Sequence, residues 1–139
     1  MTAIIEMLRK HEGVETHAYK CTANKTTIGV GRNIDPKGGI GLSTEEINYL
    51  LANDVKRVND ELSGAFSWYR TLCTARKDAV MDMCFNMGLP RLMKFKKSLA
   101  AMASGDYEEA AMEFLDSRWA NQVGQRAITV TDIIRSGDY

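Results

Sequence analysis

The apolar positions of the chain change period twice. Ile4, Met7, Leu8 and His11 recur at three-and-four spacing, which predicts a helix capped by Thr2 and closed by Gly13 as the left-handed residue beyond its end. Over residues 16–30 the period drops to two. His17 and Tyr19 alternate with Ala18 and Lys20, residues 22–25 read as a polar turn, and Thr26, Thr27, Ile28 and Val30 supply a β-branched strand. Residues 31–41, GRNIDPKGGIG, are too rich in Gly and Pro for helix and fit a short third strand with its loops.

Helical spacing then returns and holds to the end. Ser43 and Glu46 form a capping box ahead of Ile47, Leu50, Leu51, Val55, Val58 and Leu62. A break is expected over residues 64–70. Thr74 is the expected cap of a helix with the face Ala79, Val80, Met83, Cys84 and Met87, ended by Gly88 and Pro90. Leu92, Phe95, Leu99 and Met102 predict another helix, stopped near Gly105. Asp106 and Glu109 form a second box leading Ala110, Ala111, Phe114, Leu115 and Trp119. A last helix carries Ala127, Val130 and Ile134 and ends at Gly137. The fold class is α+β: one domain over residues 1–139, with a helix-and-hairpin lobe over 1–42 holding a small antiparallel sheet. That lobe is expected to pack against a helical body over 43–139, with a cleft between the two.

Composition narrows the function. The chain has 139 residues and a formal net charge of zero, so no global field draws it to nucleic acid or an anionic surface. Arg91, Lys94, Lys96 and Lys97 form the one local basic cluster, read as a solvated helix face. Cys21, Cys73 and Cys84 are an odd set without CxxC spacing, so a disulfide framework is not expected. His11 and His17 make no zinc pattern with them, and no metal or cofactor is expected. The N-terminus lacks the long apolar core of a signal peptide, and no stretch approaches a membrane span, so cytoplasmic accumulation without stable membrane insertion is the expectation.

The candidate chemistry lies in residues 12–31, EGVETHAYKCTANKTTIGVG. Glu12 stands at the end of the first helix, where the negative end of the macrodipole disfavours an ionised carboxylate and so favours a proton donor. A surface glutamate is the alternative by position alone. Cys21 follows after eight residues and Thr27 after five more. An acid can protonate a leaving oxygen, while a second group must hold or activate water on the other side. Here that group is a thiol, which unperturbed titrates at about 8.5. It can orient water with the Thr27 hydroxyl, or act as nucleophile or base when ionised. A Cys-His dyad with His17 or His11 as base is the rival chemistry.

At these residues the chain resembles the phage-type lysozymes, or endolysins. The Glu, eight residues, Asp or Cys, five residues, Thr pattern is present as Glu12, Cys21 and Thr27, with Cys21 where the T-even phage enzymes carry aspartate. The flanking words EMLRKHEG at 6–13, AYK at 18–20, TTIGVGRN at 26–33, FNMG at 85–88 and SRWANQVGQRA at 117–127 occur in the family's order. The resemblance implies a muramidase that cuts the β-1,4 bond between N-acetylmuramic acid and N-acetylglucosamine in peptidoglycan. By position it implies Glu12 as general acid and Thr27 as a residue that places the attacking water. Asn86 and Arg126 are implied as substrate-side residues, Arg126 by facing the acid. A capping amide and a fold-stabilising arginine are their structural alternatives, and Trp119 is read as core. Arg32 stands where the family has a histidine, and the loop over residues 33–42 is shorter than in the T-even enzymes. The resemblance further implies a monomer that accumulates in the host cytoplasm and reaches the wall in the periplasm through a pore-forming holin. A lytic transglycosylase, which needs an acid but no water, and a non-catalytic peptidoglycan binder are the alternative functions.

Overall fold

The computed structural model describes residues 2–139. The chain forms two compact units, one running through Leu50 and the other from Leu51 to Tyr139. In the first, α1 (Thr2–Glu12) is followed by the strands β1 (Glu15–Lys20), β2 (Thr26–Gly29) and β3 (Arg32–Asn33). The three strands make an antiparallel sheet in sequence order. Its register sets Tyr19 opposite Thr27 and Thr27 opposite Asn33, with an irregularity in β1 between Glu15 and Tyr19. The β1–β2 turn closes with Asn24 at φ 60°, a left-handed conformation that asparagine tolerates well.

Among the described residues of this unit Thr27 is the one that is buried, and Ile4, Ile5, Met7 and Leu8 of α1 are exposed. Local hydrogen bonds therefore fix its loops. Asp35 accepts the Thr26 and Lys37 N–H groups at 3.0 and 2.9 Å, and Asn33 Oδ1 accepts the Asp35 N–H at 3.0 Å. The capping box ahead of α2 (Thr44–Ala65) is formed in both directions, with Glu46 N–H donating to Ser43 Oγ at 3.1 Å and Ser43 N–H to Glu46 Oε1 at 2.9 Å.

Arg32 reaches the same carboxylate in a fork, at 2.9 Å through Nη1 and 2.8 Å through Nη2, tying β3 to the start of α2. The Ser43 N–H, the Arg32 hydrogen bonds and the Ser43 hydroxyl hold the Glu46 carboxyl at about 2, down from an ordinary 4.5. A depressed folded-state pKa contributes stability that is full above the unfolded value and lost as pH falls through the folded one. Thermal melts of the wild type should therefore lose stability between pH about 4.5 and about 2 in a component that Glu46→Gln lacks.

The second unit is helical. The later residues of α2 are followed by a 3-10 turn (Tyr69–Thr71) and α3 (Thr74–Met87). Then come α4 (Leu89–Leu92), α5 (Lys96–Ser104), α6 (Tyr107–Leu115), α7 (Arg118–Val123) and α8 (Gln125–Ser136). Its core joins Val58 and Leu62 of α2 to Val80, Met83 and Cys84 of α3, Phe114 of α6, Trp119 of α7 and Ile134 of α8. Leu62, Phe114 and Ile134 have no exposed surface, each contributing about 1.5–3 kcal/mol of burial. Two polar groups that enter this core find partners within it. Thr131 donates to the Ala127 carbonyl at 2.7 Å and Tyr69 to Asn59 Oδ1 at 2.8 Å. Arg76 caps the end of α8 by donating to the Ile134 and Arg135 carbonyls, and stacks 3.7 Å from the centre of the Tyr107 ring.

The α+β class is as expected, with five local departures. The α2 helix continues through Gly64, because Phe66 and Trp68, stacked at 4.9 Å, and the buried Tyr69 form the corner after it. Cys73, not Thr74, holds the cap position of α3, with its thiol directed to the Gly137 carbonyl. Pro90 opens the short α4 instead of ending α3, and Phe95 caps α5 while its ring meets Phe114 at 5.4 Å. Trp119 lies on its own helix because Ser117 restarts the chain, accepting the Ala120 N–H at 3.2 Å. Among the described residues no helix is long and apolar enough to cross a membrane.

Candidate active site

Glu12 is the last residue of α1. Gly13, at φ 78°, donates its N–H to the Arg9 carbonyl at 3.0 Å and turns the chain out of the helix into β1. The carboxyl of Glu12 lies over Gly31 in the turn from β2 to β3. A β-carbon on Gly31 would stand 2.8 Å from Glu12 Oε2 and displace that carboxyl, and the residue sits at φ 68°, a conformation that favours glycine. The β2–β3 turn and the helix end thus place the acid together.

Cys21 and Thr27 meet across the hairpin. The Cys21 N–H donates to the Lys25 carbonyl at 3.0 Å and the Asn24 N–H to the Cys21 carbonyl at 2.8 Å, which curls residues 21–25 around the thiol. The main-chain groups of Lys25 and Ala23, and the nearby Thr27 hydroxyl, bring the Cys21 thiol below its ordinary value despite some desolvation. Thr27 Oγ1 also lies 2.8 Å from the Lys25 carbonyl. Its proton goes to that carbonyl, which leaves the oxygen lone pairs to receive a hydrogen bond from water. Cys21 is half-buried and Thr27 is 4% exposed, so the hydroxyl is held rigidly while the sulfur stays accessible.

Cys21 lies in a hairpin turn, away from any helix N-terminus of its own segment. The turn supplies main-chain groups in its place, and Asn24, suited to a left-handed turn residue, was the available signal. His17 has a different partner from the one the dyad reading requires: its Nδ1 lies 2.9 Å from the Thr16 hydroxyl on the exposed face of β1.

The two substrate-side candidates lie in the second unit. Asn86 Oδ1 accepts the Trp119 indole N–H at 2.9 Å, and Trp119 is 3% exposed, a structural pairing for an asparagine whose residue stays exposed. Arg126 has Asp82 as its carboxylate partner, at 2.9 Å, beside a groove of about 310 Å³ lined also by Leu51, Val55, Met81 and Phe85. Cys84 is 2% exposed, and burial pushes its thiol up, consistent with an inert core residue.

The sequence profile of the family described as phage lysozyme matches residues 9–132. The chain belongs to the phage lysozyme family. Relatives are similar over most of this chain. The probable T4-type lysozyme 2 of Dictyostelium discoideum is 27% identical over 99% of this chain and 96% of its own length. The endolysin of Acyrthosiphon pisum secondary endosymbiont phage 1 is 26% identical over 86% of this chain and 80% of its own. The pre-baseplate central spike protein Gp5 of Enterobacteria phage T4 is 29% identical over 98% of this chain but only 28% of that larger protein. As a phage lysozyme the chain is a peptidoglycan-hydrolysing enzyme.

Proposed function

We propose that the protein is an endolysin acting as a muramidase, cutting the β-1,4 bond between N-acetylmuramic acid and N-acetylglucosamine, with Glu12 as general acid. Protonated Glu12 gives its proton to the leaving glycosidic oxygen. Cys21, as thiolate, and Thr27 hold a water on the opposite side of the sugar, and the sulfur takes the water's proton as the new C–O bond forms. The observation that carries this reading is the Lys25 carbonyl, which receives both the Cys21 N–H at 3.0 Å and the Thr27 hydroxyl at 2.8 Å and so holds the two residues side by side in the hairpin, where main-chain groups lower the thiol's pKa. That arrangement favours the ionised thiol and gives it the part a second carboxylate plays in most glycoside hydrolases.

The biological setting follows from the same reading. The monomeric enzyme accumulates in the host cytoplasm, passes through holin-made pores to the wall, and brings about lysis and phage release. The endolysin among the relatives supports that setting. Digestion of isolated peptidoglycan tests the chemistry. Reducing ends are the expected product, and 1,6-anhydro ends would replace hydrolysis by transglycosylation.

A further inference from the structure

The peptide unit between Lys25 and Thr26 has partners on both of its edges. Its carbonyl receives the Cys21 N–H at 3.0 Å and the Thr27 hydroxyl at 2.8 Å. Its N–H donates at 3.0 Å to Oδ2 of Asp35, a residue that takes no part in the chemistry above. A trans peptide unit is planar, with its C=O and N–H pointing in opposite directions. Whatever sets the direction of the Thr26 N–H therefore sets that of the Lys25 carbonyl as well.

Asp35 is itself gripped by the chain around it. Its own N–H donates to Asn33 Oδ1 at 3.0 Å, its carbonyl accepts the Gly39 N–H at 3.0 Å, and its Oδ1 accepts the Lys37 N–H at 2.9 Å. A β-carbon on Gly39 would stand 2.5 Å from the Asp35 backbone nitrogen and oxygen, so the loop closes this tightly only around glycine. The neighbouring Ile34 N–H donates to the Thr26 carbonyl at 2.8 Å and fixes the same strand residue from its other end. The Asp35 side chain is 11% exposed, with the Lys20 ammonium 3.9 Å away. Lys20, Lys25 and Lys37 are the charged side chains that line the pocket beside it. Hydrogen bonds from the Thr26 and Lys37 N–H groups, with Lys25 and Lys20 nearby, hold its carboxyl below the usual range, so it is an anion at neutral pH.

A charged acceptor on the N–H also polarises the peptide group, which makes its carbonyl a stronger acceptor on the opposite edge. We propose that Asp35 is a positioning residue for the hydrolysis: its carboxylate, acting through the single Lys25–Thr26 peptide unit, holds Cys21 and Thr27 at the spacing that places the water. This rests on the muramidase reading, in which those two side chains hold the water on the far side of the sugar. Without the carboxylate the Lys25–Thr26 plane is free to rotate, and both contacts to its carbonyl loosen together. The loss falls on the reacting geometry, not on the surface that binds the glycan.

In Asp35→Ala, kcat on isolated peptidoglycan should fall about 10- to 100-fold while KM stays the same. The acid limb of its pH–rate profile should move up toward that of a free cysteine, as the main-chain groups around the thiol lose their order. Glu46→Gln loosens the same unit at the Arg32 bridge instead, and should keep the wild-type kcat and profile. An Asp35→Ala enzyme that loses no more activity than Glu46→Gln, or that loses it through KM, overturns the proposal. Should Asp35→Ala not fold, the wild type decides alone, by amide NMR during an acid titration. The Thr26 amide should shift as Asp35 takes up its proton, and the Cys21 amide should shift with it, since both are bonded to one peptide unit. The Ser43 amide, bonded to Glu46, marks the titration of that second acid separately. A Cys21 amide that stays still while Thr26 moves overturns the proposal. If the wild type cleaves no glycan bond, the muramidase reading fails, while the amides still report whether Asp35 governs the hairpin.

Discussion

Glu12→Gln is expected to lower peptidoglycan hydrolysis by about 10²- to 10⁴-fold, the usual contribution of a positioned general acid, with almost no change in melting temperature. The two halves of that expectation have separate causes. Glutamine has the size and shape of glutamic acid, so it keeps the contact over Gly31 that the helix end imposes. Glu12 is exposed, and among the described residues its carboxylate enters no hydrogen bond or ion pair whose loss would cost stability. The amide cannot release a proton to a leaving oxygen. Lysis of permeabilised Gram-negative cells gives the rate, and a pull-down on insoluble peptidoglycan shows whether binding survives. An inactive variant that still binds identifies the acid. Equal activity in both proteins would remove Glu12 from the mechanism. Equal binding with no activity in either would make the chain a wall-binding protein.

Much of the fold was legible because burial and periodicity agree in the second unit. Val58 and Leu62, Val80 and Met83, Phe114, Val130 and Ile134 were placed on core faces by spacing alone, and all are buried. Where single residues decide the chain path, the pattern failed. Ser117 and Phe95 each restart a helix through one local contact, and a helical period run across them merges two elements into one. Gly64 was read as a breaker, but glycine in a helix costs only about 1 kcal/mol, which the aromatic corner after it offsets.

The candidate site was legible only in its members. Glu12, Cys21 and Thr27 could be chosen by spacing and family likeness, yet what makes Cys21 serviceable is main-chain geometry. The main-chain groups of Ala23 and Lys25 belong to residues of no special chemistry, and nothing in their side chains announces the role. The bridge from Arg32 to Glu46 was equally hidden. Glu46 was read as half of a capping box, and its remaining acceptor capacity went unassigned until β3 brought a guanidinium to it.

Substitution at Cys21 should separate the roles a thiol can fill. Cys21→Ser keeps a hydrogen-bonding group of similar size but ionises far outside the working range, so activity should fall by about 10²-fold at every pH. Cys21→Asp restores an anion beside the same main-chain groups of Ala23 and Lys25. In the wild type the hairpin favours the thiolate, so the acid limb of the pH–rate profile should lie below that of a free cysteine. In Cys21→Asp that limb should move down to the carboxylate range, about 4. The sign follows from which form is active: lowering the pKa of a group needed as its anion extends activity toward acid. A thiol-blocking reagent should abolish wild-type activity and leave Cys21→Asp untouched. Cys73, the exposed cysteine, is present in both proteins and so controls for modification elsewhere. If serine, aspartate and blocked protein all match the wild type, Thr27 and Glu12 suffice and the thiol has no chemical part. If only aspartate is active and moves the acid limb, the negative charge at this turn, and not sulfur as such, is what the water needs.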